Sequence, residues 1–268
     1  MKGRSGFSQN HWGGASPLAA LLLWMLLGAT VFGQRQVESP PPLDPAQGRK
    51  EARALVTELL AQRPEENVTN SGRVKIRDRE GQEIEMPARF EVVCTPSNWV
   101  SVYETLSSGG SKLIITHTSH QPNEYLLQER SNAGDGKVVQ RRLKPGETMV
   151  PFAGSDFWVA DLGLEFLHWP EQRVVKKAMR HSKFCYVLES SNSAPTAGGY
   201  ARVESWIIPE SPYGMVHAEA YGADDKLIKV FDPVNLEKVR GDYQLEEMEM
   251  RNRKTGSHTW IKFDVGRE

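Results

Sequence analysis

The sequence is poor in cysteine, in net charge and in long apolar runs. Only Cys94 and Cys185 occur in 268 residues, which excludes a disulfide-stapled scaffold; neither has a CxxC partner, which excludes a zinc ribbon or a dithiol redox motif. Lys and Arg number 33 against 34 Asp and Glu, a formal charge of −1. A general nucleic-acid binder carries a basic stripe instead, so nucleic acid is not an expected partner. Neither 16 Pro nor 23 Gly reaches a disordered or collagen-like bias. GxSxG and HExxH are absent, and GDG at residues 134–136 follows no strand-to-helix transition, so it reads as a turn. His117 and His120 stand three apart, where a strand run enters a turn, and no acid is placed beside them; they read as surface histidines. No catalytic residue, metal or cofactor is therefore expected. What remains is a non-enzymatic globular protein with small-molecule, lipid or protein partners.

One charge-free apolar run is present, Leu18 to Phe32, after Lys2 and Arg4. It is shorter than the roughly 20 residues needed to span a bilayer and has the three-part form of a secretory signal. Val31 and Gly33 fit the −3 and −1 positions, so residues 1–33 are expected to be a signal peptide cut before Gln34. No Cys lies near the cut, so the mature protein is expected to be unlipidated and soluble in the periplasm. Residues 34–43, with three prolines at 40–42, read as a flexible tether to a domain spanning 44–268.

Asp44 and Pro45 form an N-cap and a preset first position, and Ala52, Leu55, Val56, Leu59 and Leu60 give one apolar stripe that ends at Pro64, so an amphipathic helix is expected. The period then changes to two. GRVKIRD, EIEMPARFEVVC, WVSVYETL and SKLIITH, a hairpin over Glu124–Glu129 and Lys137–Arg141, and seven later runs from QRVVKKAMR to HTWIKFD read as strands divided by turn residues. Between Leu245 and Met248 the apolar parity slips by one, the mark of a β-bulge. Between the two halves, Ser155 is placed to cap a second amphipathic helix carrying Phe157, Trp158, Asp161, Leu162, Glu165, Phe166 and Trp169. About eleven strands and two helices point to a mainly β (α+β) fold, with one strongly curved antiparallel sheet left as an unclosed barrel under helical lids.

Large apolar residues recur through these elements. A single curved sheet has no second sheet to cover its inner face, so two short helices must do so and an apolar concavity remains. Leu55, Leu59, Trp99, Tyr103, Phe157, Trp158, Leu162, Phe166, Trp206, Tyr221 and Met248 are the candidates to line it or its lids. Cys94 and Cys185 both lie in alternating apolar stretches. An exported protein can bond them, but buried free thiols are also common core residues.

The order of secretory signal, amphipathic helix, meander, GSDFWVADL (residues 154–162), then YARVESWI, AEAYGADDKLIKVF and LEEMEMRNRKTGSHTWIKF resembles the LolA-like outer-membrane lipoprotein-sorting family over nearly all of the mature chain. PFAGSDFWVADL is similar to a GSDF-x-x-x-DL segment of one bacterial branch. The resemblance implies an unclosed β-barrel whose hydrophobic cavity carries the acyl chains of lipoproteins or lipids across the periplasm as a monomer, between an inner-membrane donor and an outer-membrane acceptor. The same fold could also serve as a non-transporting envelope sensor or scaffold that binds a protein partner. The family's founding carriers have a lid-locking arginine, and the sequence matches none of its own arginines to it.

Overall fold

The computed structural model describes residues 42–130, 137–210, 213–239 and 242–265. The expected signal peptide and most of the expected tether lie outside the described residues. Helix α1, Pro45–Ala61, starts where its cap directs: one Asp44 carboxylate oxygen accepts from the backbone N–H groups of Ala46 and Gln47. Six strands follow: β1 (Val68–Arg77), β2 (Glu83–Cys94), β3 (Asn98–Thr105), β4 (Ser111–Thr118), β5 (Glu124–Arg130) and β6 (Val138–Leu143). After a crossing segment come β7 (Glu171–Arg180), β8 (Lys183–Ser191), β9 (Arg202–Ile208), β10 (Gly214–Tyr221), β11 (Leu227–Val239), β12 (Asp242–Asn252) and β13 (His258–Phe263).

All thirteen form one antiparallel sheet in the order 6-5-4-3-2-1-13-12-11-10-9-8-7. The expected count of about eleven was low: every alternating run, down to the weakly apolar hairpin of β5 and β6, becomes a strand. β13 pairs with β1, joining the two halves of the chain at the centre of the sheet, while β6 and β7 are its two edges. The sheet curls and stays unclosed. Register shifts bend it at several points, and one is the expected bulge: Leu245 and Glu247 pair with Leu236 and Asn235, leaving Glu246 as the extra residue.

Because β6 and β7 are consecutive in sequence but lie at opposite edges, residues 144–170 must cross the concave side. The single helix expected there is broken in two. Helix α2 is one turn, Val159–Leu162, and a 3-10 turn covers Glu165–His168; Leu164 between them is left-handed at φ 48°. Ser155 does not cap either piece. Its hydroxyl accepts from the Phe157 N–H inside a tight turn, and Pro151 bridges Trp158 as a short β contact. Single helical turns such as Val159–Leu162 and Glu165–His168 do not hold themselves together in isolation, so packing decided the shape of this segment.

The concave face holds two cores. One, under β1–β6 and β11–β13, gathers Val74, Phe90, Leu113, Ile115, Tyr125, Phe157 and Met248. The other, under α1 and β7–β10, gathers Leu55, Phe166, Val174, Leu188, Tyr200 and Ile207. Helix α1 lies close on β7 because Gly48 is buried there: an added Cβ would stand 2.5 Å from the Val174 carbonyl oxygen. The convex face is instead tied by ion pairs such as Lys75–Glu83, Arg173–Glu189 and Lys262–Glu246.

Candidate functional site

Between the two cores the concave side is not filled. A cavity of about 520 Å³ remains, within the usual range of small-molecule sites. Leu59, Leu60 and Pro64, at and beyond the end of α1, roof it; Trp99, Ser101 and His117 of β3 and β4 form one wall; Leu162, Leu164, Leu167 and His168 of the crossing segment form another; Ile207, Tyr213 and Met215 close the remaining side. The cavity lies at the end of the barrel that carries the β2–β3, β4–β5 and β9–β10 turns.

The roof is fastened at that end by one side chain. The Arg63 guanidinium donates to the carbonyl oxygens of Thr95 (2.7 Å), Asn98 (3.2 Å) and Pro96 (3.3 Å) in the β2–β3 turn. At the other end of the helix, Leu43 N–H bonds to Val175 O, and Lys177 pairs with Glu51 at 3.1 Å. Helix α1 thus runs from the β7 edge to the cavity mouth. Sequence reasoning assigned Arg63 no role. Its position just before Pro64, where the helix ends, was the signal available.

The cavity has a polar corner. Ser101 Oγ is 3.2 Å from His117 Nε2. Asn123 donates to the Gly163 carbonyl at 2.7 Å, and its hydrogen bond to His117 favours the charged imidazole. Burial outweighs that bond and, helped by His168 across the cavity, pulls His117 down to about 4; burial lowers His168 as well. Both rings are neutral at neutral pH. Trp99 packs edge-on against His117 with ring centroids 3.7 Å apart, and its buried indole N–H has no partner among the described residues. Ser101 and His117 stand at the spacing of a nucleophile and its base, a pair that the sequence did not reveal. An imidazole with so low a proton affinity is a weak base at neutral pH, and the corner offers hydrogen bonds to a polar group more readily than proton transfer. No cluster of three or more His, Cys, Asp and Glu among the described residues could hold a metal ion.

The two aspartates of GSDFWVADL anchor the crossing segment that carries one wall of the cavity. Asp156 accepts from Asn252 Nδ2 (3.0 Å), Ser257 Oγ (2.7 Å) and Thr259 Oγ1 (2.9 Å), bolting the crossing segment to the β12–β13 hairpin. One oxygen of Asp161 accepts from the Trp158 N–H (2.7 Å), the Tyr200 hydroxyl (3.1 Å) and Lys229 Nζ (3.4 Å). Lys229, its side chain 1% exposed, lies 3.6 Å from the centre of the Trp158 ring, and burial pulls it down to about 8 despite Asp161. The segment and the closing hairpin that carried the family resemblance are therefore in contact with each other.

Of the eleven residues singled out for cavity or lid, Leu59, Trp99 and Leu162 line the large cavity. Tyr103, Phe157 and Met248 fill the first core, and Leu55, Trp158 and Phe166 the second; Trp158 stacks on Tyr200 at 4.6 Å. Trp206 and Tyr221 are on the convex face, contrary to expectation. Trp206 packs with Cys185 and Val187, opposite to the inward Ile207, and Tyr221 lies under the Arg202 guanidinium. In a sheet whose outer face is also closely packed, size and apolarity do not reveal which side a residue takes. The cysteines are free. Cys94 on β2 donates toward the Pro64 and Glu66 carbonyls on the concave side, whereas Cys185 on β8 faces outward with six strands between, too far for a bond.

Similarity searches agree with this geometry. A domain designated an outer membrane lipoprotein-sorting protein from Vibrio parahaemolyticus superposes with a TM-score of 0.61 at 16% identity, covering 83% of this chain and 94% of that one. A LolA superfamily protein from Nitrosomonas europaea gives 0.52 at 15%, over 80% and 91%. The chain has a LolA-like fold. A DUF1329 family protein from Desulfovibrio piger is similar at 0.60 and 18%, over 84% and 96%. A family model described as an uncharacterized protein matches residues 138–265, which spans the crossing segment and β6–β13 of the LolA-like fold. No curated protein sequence matches the chain. No helix among the described residues is long and apolar enough to cross a membrane.

Proposed function

We propose that this protein is a periplasmic carrier that binds acyl chains in the cavity under α1 and takes part in sorting lipoproteins or lipids to the outer membrane, without acting as an enzyme. The observation that carries the proposal is the mostly apolar cavity of about 520 Å³, roofed by a helix whose far end rests on Arg63. An acyl chain gains ~0.8 kcal/mol per methylene withdrawn from water, on the order of 13 kcal/mol for sixteen carbons, so it does not cross an aqueous space bare. The same magnitude opposes release. A roof held by three hydrogen bonds to backbone carbonyls can exchange with the ligand for one apolar surface, which makes release feasible. Donor and acceptor proteins at the two membranes follow from the same reading, with the carrier as a monomer.

Mass spectrometry of an organic extract from the gently purified exported protein tests it. Copurified acyl lipids, and loss of fluorescent fatty-acid binding in Leu59→Asp, are the expected results. A lipid-free protein that captures no fatty acid would overturn the carrier reading and favour a scaffold role. Natural lipid esters should remain intact on incubation, and turnover that Ser101→Ala abolishes would make the protein an enzyme.

A further inference from the structure

The β7–β8 hairpin has features that the cavity does not explain. From Gln172 to Leu188 the chain carries Arg173, Lys176, Lys177, Arg180 and Lys183 and no Asp or Glu, in a protein whose formal charge is −1. Arg180 pairs with Lys183, so the connection is a two-residue turn, and both its residues are left-handed: His181 at φ 47° and Ser182 at φ 60°. That is the geometry of a tight hairpin turn, here made without glycine. Behind it, Met179 and Phe184 face each other across the strands and are 64% and 49% exposed. Lys177 is held by Glu51 and Arg180 lies near Asp232, but Lys183 is exposed and has no carboxylate partner among the described residues.

Strand register fixes where this tip lies. Tyr186, two residues beyond Phe184, pairs with Ile207, which lines the cavity; the β9–β10 connection leading to Tyr213 and Met215 is at the same end. The tip therefore stands at the mouth end of the barrel. A second exposed apolar pair, Val138 and Val139, begins β6 at the opposite end.

We propose that the β7–β8 tip docks on an anionic phospholipid surface, seating Met179 and Phe184 among the headgroups and turning the cavity mouth toward the bilayer. Two apolar side chains at the apex of a narrow hairpin make a protrusion, which is far below the area a stable protein interface buries. A protrusion whose own two strands carry cations and no carboxylate from Gln172 to Leu188, with Lys183 at the turn left unpaired among the described residues, matches a membrane interface, where apolar insertion and attraction to anionic lipid add together. The inference is independent of what the cavity holds.

Cosedimentation of the exported protein with vesicles of phosphatidylethanolamine and phosphatidylglycerol, against vesicles of phosphatidylcholine alone, tests it. The expected result is binding to the anionic vesicles that weakens with salt. The double substitution Met179→Ser with Phe184→Ser should lower it about tenfold, and Lys183→Glu about fivefold. These positions are exposed, so melting temperature and fluorescent fatty-acid binding from solution should be unchanged in both variants, which separates failure here from failure of the carrier reading. Val138→Ser with Val139→Ser should bind vesicles like the unsubstituted protein. No binding to anionic vesicles, equal binding to both vesicle types, undiminished binding by the Met179 and Phe184 variant, or an equal loss on changing Val138 and Val139 would each overturn the proposal. So would a lipid-free dimer that the Met179 and Phe184 variant abolishes.

Discussion

Gly163 ends α2 against the ring of Tyr125, so closely that an added Cβ would lie 2.4 Å from the ring's Cε1 and its hydroxyl oxygen. Tyr125 is 3% exposed and cannot move aside cheaply. We expect Gly163→Ala to lose roughly 1 to 3 kcal/mol by overpacking, seen as a lower melting temperature, and to weaken fatty-acid binding because the same contact positions Leu162 and Leu164. Lys229 yields a pH signature. Its folded-state value is about 8 against 10.5 for an ordinary lysine, so between those values the unfolded chain holds a proton that the folded chain has released. Stability therefore rises with pH across that window and falls away as pH drops through 8. Denaturant titrations at pH 7 and pH 9.5 should differ by on the order of 2 kcal/mol from this group, and Lys229→Met should remove that difference. Above the ordinary tyrosine range the sign reverses, because burial pushes Tyr103 up to about 12 and raises Tyr200, so the unfolded chain ionises first.

Helix α1 and the crossing segment are covers fixed by few but specific bonds. Arg63 is at the one point where α1 meets the β2–β3 turn, and its carbonyl acceptors are exposed. Arg63→Ala should cost only about 1 kcal/mol of stability, yet stopped-flow release of a bound fluorescent fatty acid should quicken about fivefold as the roof lifts more often. Asp156 is the opposite case. It is buried and accepts from three side chains of the β12–β13 hairpin, all of which would lose a partner. Asp156→Ala should lower stability by roughly 3 kcal/mol or more in a denaturant titration, through detachment of the crossing segment. The position of α1 was legible in the sequence because a capping Asp, a following Pro and a spaced apolar stripe are local signals. The break at Leu164 was not, because a left-handed leucine is imposed by the two cores that the segment must bridge.

The described residues form one sheet rolled around two cores, with the cavity where they fail to meet. Its cysteines lie on opposite faces, and burial raises the Cys185 thiol. Melting curves with and without reductant should coincide, and a large drop with reductant would show that the two thiols pair in solution. The alternating runs that become strands, counted as about eleven, their antiparallel pairing, a bulge between Leu245 and Met248 and the capped helix were legible in the sequence alone, since alternation, turn residues and caps act over a few neighbours; the order of the thirteen strands, with β13 beside β1, was not. Which aromatics face the cavity was decided only by the tertiary structure. Trp99 and Trp206 look alike in sequence, each in an alternating run, but one lines the cavity and the other packs outside under Lys176 and Arg180. Period two assigns residues to two faces without saying which is concave; that depends on the curl of the whole sheet and on where α1 and the crossing segment come to rest. The Arg63 clasp, the Ser101–His117 corner and the contact of Asp156 with the last hairpin join residues far apart in the chain, and no local signal could have placed them together.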